Sequence, residues 1–283
     1  NHFQSIVEKR NTIPILANIK ISAKEESVQI TATDLSIQLS EKIHANVVEE
    51  GEFTVPSQVL FDIIKKIPDN NSIEIKSNQE MGKVFILFVK SKFSLSSLPA
   101  SDFPEIEGEN LGINIDLSSE ELKYLFDECK FSMGSDESRQ YLNGIYFHKI
   151  DKKITTVATD GHRLSKCEID SGQSTLEFDG IIIPKKTVNE ISKLLEDFKK
   201  SINIKLSKTK IKFDFGNVTL VSKLVNSSFP DYLSVIPKSN NLEMLCSSNT
   251  FYETIDRVST ISSEKFRTVK LEISDNTCTV SSF

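Results

Sequence analysis

The stretch "TATD" at 31–34 returns 126 positions later as "VATD" at 157–160, and "DFPEI" at 102–106 returns at the same spacing as "SFPDY" at 228–232. "ILANIKI" at 15–21 likewise matches "YLNGIYF" at 141–147. Between them, "FTVPSQVLFDIIKKI" at 53–67 pairs with "IIIPKKTVNEISKLL" at 181–195, each a strand pattern that ends in Pro and opens a helix. Ordered matches at nearly one spacing mean that the chain repeats a folding unit. A third copy begins and stops: "CSSNTFYETIDRV" at 246–258 echoes "LSSEELKYLFDEC" at 117–129, and "RTVKLEI" at 267–273 echoes "YLNGIYF" more weakly. The expectation is a three-unit protein cut at both ends, with boundaries at 1–110, 111–238 and 239–283.

The unit reads as α+β. Ser118 with Glu121, Thr187 with Glu190 and Thr250 with Glu253 have capping-box spacing, which predicts three helix starts. Leu122, Leu125, Phe126 and Cys129 form an apolar stripe, as do Ile191, Leu194, Leu195 and Phe198, so each helix has one face to bury. Val28, Ile30 and Ala32 alternate, as do Leu35, Ile37 and Leu39, and Ile211, Phe213 and Phe215, which predicts strands. "KVFILFV" and "VTLVSKLV" are apolar enough to be inner strands. Each unit is then two helices packed on antiparallel β-sheets.

Composition narrows the function. Forty acidic against 34 basic residues disfavour a protein that grips nucleic acid over its whole surface, but leave room for a local basic face. Lys65, Lys66, Lys123, Lys130, Lys193, Lys199 and Lys200 recur on helical segments, largely off the apolar stripes. No apolar run is long enough for a membrane span and no secretory leader pattern is present, so the expectation is a cytoplasmic protein without membrane partners. Cys129, Cys167, Cys246 and Cys278 are far apart without C-x-x-C spacing, which argues against zinc and against a disulfide framework. No metal or cofactor is expected.

"TVATDGHRLS" at 156–165 concentrates the polar chemistry. Asp160 and His162, with Ser165 or Thr159 as nucleophile, keep a hydrolase open as an alternative, although no nucleophile elbow or phosphate loop accompanies them. One His and one Asp make a poor metal site. The repeats separate scaffold from novelty: both copies keep the Thr-Asp pair, suited to bonding a turn, and only the second follows it with Gly161, His162 and Arg163.

Taken together, "NTIPILANI", "FSLSSLPASDFP", "RQYLNGIYF", "TVATDGHRLS", "SKLVNSSFPDY" and "SSEKFRTVKL" resemble, in order and over nearly the whole chain, the β subunit of bacterial DNA polymerase III, the DNA sliding clamps. The resemblance implies the DNA clamp fold: repeated domains in a homodimeric ring around double-stranded DNA, held without sequence preference. It implies a processivity factor without intrinsic catalysis. Its partners would be the DNA polymerase III alpha subunit, the clamp loader and other proteins carrying a clamp-binding motif. Residues carried over for the peptide pocket are Leu142, Thr159, Gly161, His162, Arg163, Leu164, Pro230 and Val235; for DNA, Arg10, Arg139 and Tyr141. Those for the dimer interface are Lys83, Lys90, Lys92, Phe93 and Leu95 on one side and Ile261, Ser262 and Phe266 on the other. A fragment without clamp function is a further alternative.

Overall fold

The computed structural model describes residues 2–7, 13–68, 71–106, 108, 111–171, 178–261 and 268–282. It separates into two units, one ending at Pro230 and the other starting at Asp231.

In the first unit, the opening repeat comprises β1 (Asn18–Lys24), β2 (Ser27–Thr33), β3 (Ile37–His44), β4 (Gly51–Pro56), α1 (Ser57–Ile64), β5 (Glu74–Asn78), β6 (Lys83–Phe88) and β7 (Ser91–Ser96). The next comprises β8 (Ile113–Ser118), α2 (Ser119–Lys130), β9 (Gly144–Ile150), β10 (Lys153–Thr159), β11 (Leu164–Asp170), β12 (Ile181–Pro184), α3 (Lys185–Asp197), β13 (Ser201–Leu206), β14 (Lys210–Asp214) and β15 (Val218–Lys223). An eight-stranded antiparallel sheet, ordered β4-β1-β2-β3-β15-β14-β13-β8, crosses from one repeat to the other. Its seam is β3 against β15, where Leu39 faces Leu220. The remaining sheets are β11-β10-β9-β12 and β5-β6-β7. Both runs expected to be inner strands are inner: β6 lies between β5 and β7, and β15 between β14 and β3.

The helix stripes fill the core. Leu122, Leu125, Phe126 and Cys129 of α2 are fully buried, and Phe126 meets Phe213 edge to face at 6.5 Å. Ile191, Leu194 and Leu195 of α3 are buried, with Phe198 beyond the helix end set edge-on to Phe215. Each such large apolar side chain contributes roughly 1.5–3 kcal/mol by leaving water.

Helix starts follow local chemistry with two corrections. Ser118 makes the full capping box: its hydroxyl accepts from the Glu121 N–H at 3.1 Å, and the Glu121 carboxylate accepts from the Ser118 N–H at 2.8 Å. Thr187 does not cap α3. The strand runs through Pro184 straight into the helix, which places Thr187 inside the first turn, bonded to the Ser222 hydroxyl at 2.6 Å in the core. Thr250 does not cap either; Ser247 does, and its hydroxyl accepts from the Thr250 N–H. Of the helical lysines, Lys65, Lys66, Lys199 and Lys200 lie just past the ends of α1 and α3 rather than on them.

The second unit carries α4 (Ser248–Ser259) and an antiparallel hairpin of β16 (Lys270–Ser274) and β17 (Thr277–Ser281), the same order as α2, β9 and β10. The hairpins β1–β2, β9–β10 and β16–β17 each turn through one residue at positive φ: Glu25 at 53°, Asp151 at 56° and Asn276 at 55°. The stretch expected to be a third copy thus holds a helix followed by a hairpin. Cys129 and Cys167 are buried, Cys278 is partly buried and Cys246 is exposed. Among the described residues, no helix is long and apolar enough to cross a membrane.

Candidate functional site: a projecting turn, a basic groove and a strand edge

The β10–β11 turn is built by two side chains. The Thr159 hydroxyl donates to the Arg163 carbonyl at 2.6 Å and accepts from the Gly161 N–H at 3.1 Å. The Asp160 carboxylate accepts from the His162 and Arg163 N–H groups at 2.9 and 3.1 Å. These two backbone donors, with the Arg163 guanidinium at 3.1 Å, hold the Asp160 pKa down to about 2, so it stays charged. Thr33 and Asp34 make the same four bonds in the β2–β3 turn, to Ile37, Leu35, Ser36 and Ile37 again, at 2.8–3.1 Å. The shared Thr-Asp pair is scaffold, as the repeat implies.

The copies differ at the third position. Gly161 adopts φ 91° and Leu35 adopts φ 75°. Leu35 therefore does not belong to the alternating strand expected from Leu35, Ile37 and Leu39; β3 starts at Ile37, and Leu35 turns inward against Ile15, Leu16 and Phe103. Gly161 puts no side chain of its own there, and the end of the Arg139 side chain comes against it instead. His162 and Arg163 are exposed, Thr159 and Leu164 are half-buried, and Leu142 is buried. Pro230 is exposed at the end of the first unit, and Val235 is exposed in the second.

This chemistry is not hydrolytic. Asp160 is committed to the turn and Arg163, and the Ser165 hydroxyl bonds the Ser132 hydroxyl at 2.6 Å, so no acid–His–nucleophile relay forms there. Burial pushes the Cys129 thiol up to about 11, far from a reactive thiolate. Among the described residues, no group of three or more His, Cys, Asp or Glu is arranged to hold a metal ion.

Sequence reasoning missed two neighbours of the turn. The Arg163 guanidinium lies 5.7 Å from the centre of the Phe131 ring, an exposed aromatic just past α2 whose place off the apolar stripe was the available signal. The other neighbour is Arg139, assigned to DNA: a Cβ on Gly161 would come within 3.0 Å of its guanidinium. Arg139 and Tyr141 lie on the short 3₁₀ segment Glu137–Leu142, and Arg139 pairs with Asp136 at 3.0 Å. Arg10 falls outside the described residues.

An open groove of about 620 Å³ is lined by Lys130, Lys185, Lys186 and Lys193 together with Glu190 and Glu196. Nearly every cation there has a partner: Lys130 pairs with Asp127 at 2.5 Å, Lys193 with Glu190 at 2.8 Å and Lys186 with Asp34 at 2.6 Å. Such pairing leaves a shallow positive field rather than a clamp on phosphate.

Lys83, Lys90, Lys92, Phe93 and Leu95 gather on β6, β7 and their connecting turn, with β7 at one edge of its sheet. Phe93 is exposed, and Lys92 lies over the Phe85 ring at 4.4 Å. Leu95 faces the chain's own core. Ile261 is exposed beyond α4, and Ser262 and Phe266 lie outside the described residues.

Residues 1–107 match the N-terminal domain of the DNA polymerase III beta subunit, and residues 116–231 match its central domain. The beta sliding clamp of Caulobacter vibrioides is 37% identical over 276 residues, covering 96% of this chain and 74% of the relative. The chain belongs to the beta sliding clamp family. The beta sliding clamp of Rickettsia felis is 38% identical over 290 residues, covering 98% of this chain and 73% of the relative. Among solved structures, the sliding clamp of Bartonella birtlesii bound to griselimycin superposes with a TM-score of 0.91 at 40% identity, covering 96% of this chain and 74% of that one. That of Pseudomonas aeruginosa superposes at 0.92 and 30% identity, covering 99% and 76%. The clamp fold and a DNA sliding clamp function, as expected from the sequence, follow from these matches, which give a hydrolase no support. This clamp is an accessory of DNA polymerase III and not itself a polymerase.

Proposed function

We propose that two copies of this clamp close head to tail around duplex DNA and hold the replicative polymerase to it, with the β10–β11 turn receiving short peptide segments of the polymerase α subunit, the clamp loader and repair proteins. The observation that carries the docking reading is the shared turn: two repeats build it with the same four bonds, and only the second projects Gly, His and Arg from it. Leu142, Thr159, Leu164 and Pro230 supply apolar and polar lining for a shallow pocket; Val235, assigned to it from the sequence, belongs to the other unit. His162 and Arg163 fix the peptide's backbone or a Gln side chain. Arg139, beside Gly161, borders that pocket and also contacts DNA, the role it shares by sequence assignment with Tyr141 and Arg10.

Ring closure is supported by the seam inside the chain. β15 of the second repeat pairs with β3 of the first, and β7 occupies in the first repeat the place that β15 holds in the second. The exposed β7 edge is thus the surface on which a partner's third domain adds its own strand, with Lys83, Lys90, Lys92 and Phe93 against Ile261, Ser262 and Phe266. The three domains are 1–110, 111–238 and 239–283. The paired groove lysines suit sliding, since weak and sequence-independent attraction to phosphate guides DNA without halting it.

The test is a titration of the full-length protein with a fluorescein-labelled peptide that carries one Gln followed by two large apolar residues. His162→Ala with Arg163→Ala is expected to weaken binding at least ~10-fold, or about 1.4 kcal/mol. Binding at the unsubstituted affinity would remove the turn from the docking site.

A further inference from the structure

The two turns share their backbone, yet a leucine fills one, while only the end of the flexible Arg139 side chain comes against the other. In the first repeat the Leu35 side chain packs on Ile15, Leu16 and Phe103. At the repeat spacing, those three positions become Tyr141, Leu142 and Phe229 in the second repeat, and Leu35 becomes Gly161. Leu142 belongs to the proposed docking pocket. The positions that receive Leu35 in one copy thus coincide, at Leu142, with the docking pocket proposed for the other, where Leu142 is 5% exposed and Phe229 stacks on Tyr146.

The conformation of Leu35 is costly for its residue type. At φ 75° its Cβ crowds the backbone, a region where Gly, Asn or Asp is the ordinary occupant. No hydrogen bond of the turn needs a leucine there, because the donor at that position is the backbone N–H, bonded to the Thr33 hydroxyl at 3.1 Å. What the side chain adds is its packing on Ile15, Leu16 and Phe103.

We propose that the first repeat contains a second peptide-receiving site of the same class, permanently closed by Leu35 acting as an internal ligand, and that Gly161 is the residue that leaves the second repeat's site open. Its ligand would be the same chemistry, a short segment with a large apolar anchor. The inference rests on the docking reading of the β10–β11 turn.

The full-length protein is titrated with the labelled peptide described above, and binding sites per chain are counted. The unsubstituted protein is expected to bind one peptide per chain, and Gly161→Leu none. Leu35→Gly should bind two, the added site detectable up to about a hundredfold weaker than the first. Leu35→Asn, which keeps a residue at ease in the left-handed region, should do the same, and guards against a turn that merely loosens with Gly. The double variant Leu35→Gly/Gly161→Leu should bind one, with the methyl resonances of Ile15 and Leu16 shifting on binding. One site in both folded Leu35 variants, with none in Gly161→Leu, overturns this inference while leaving the docking reading intact. Unimpaired binding by Gly161→Leu overturns the docking reading and this inference with it.

Discussion

Replacing Asp34 by Ala would remove three hydrogen bonds at one stroke. Its carboxylate accepts from the Ser36 and Ile37 N–H groups, both at 2.8 Å, and from the Lys186 ammonium at 2.6 Å. The first two shape the β2–β3 turn; the third ties the start of α3 in the second repeat to the first. The Asp34 side chain is only 6% exposed, whereas that of Lys186 is 38% exposed and can rehydrate. The N–H of Ser36 is also near water, but that of buried Ile37 is not. A charge-assisted bond is worth ~1.5–3 kcal/mol and the three are coupled, so Asp34→Ala is expected to cost about 2–4 kcal/mol. Asp34→Asn keeps an acceptor for the turn and loses the ion pair, so its cost should be about 1 kcal/mol. Combined with Lys186→Met, it gives a cycle whose coupling energy isolates that pair. Urea unfolding followed by far-ultraviolet circular dichroism compares all four variants with the unsubstituted protein. A loss below ~0.5 kcal/mol for Asp34→Ala, or equal losses for the Ala and Asn variants, would refute this division between turn and ion pair.

Two further outcomes test the same physics. Burial lowers the His148 pKa from 6.5 to about 4, with Lys166 adding to the drop and Glu168 opposing it. The unfolded chain then binds a proton that the folded chain refuses. This contribution is complete above pH 6.5 and is lost as pH falls toward 4, with a slope of up to ~1.4 kcal/mol per pH unit. His148→Gln should flatten denaturation midpoints across that window, and an unchanged slope would show that other groups dominate. Ser118→Ala removes the hydroxyl of a complete capping box and should cost ~1 kcal/mol in thermal or urea unfolding. Thr250→Ala should leave the α4 cap in place because Ser247 supplies it, and an equal loss from both substitutions would contradict the observed helix starts.

Much of the fold was legible because it rests on local chemistry repeated along the chain. The 126-residue spacing located homologous hairpins, and the stripes of α2 and α3 named side chains that are in fact buried. Prolines 56 and 184 marked the two strand-to-helix junctions. The Thr-Asp turn was legible for the same reason, since its bonds span only two to four residues. Where sequence failed, the deciding contact was distant. Thr187 has capping-box spacing, but Ser222 claims its hydroxyl from β15. Leu35 fits a strand alternation, but a pocket formed by Ile15, Leu16 and Phe103 draws it into a left-handed turn. Arg139 reads from sequence as a DNA contact alone, and the fold also sets it beside Gly161.

By itself, then, the sequence determined the family, the repeated α+β unit and the turn on which partner binding is proposed, because periodicity, capping and turn chemistry act between near neighbours. The tertiary structure decided what lies beside that turn, which edge strand is left for pairing, and that Lys186 of the groove is held by Asp34. Those properties depend on residues brought together from well apart in the chain, such as Asp34 with Lys186, 152 positions on, or β3 with β15, and no local pattern encodes which distant partner will arrive.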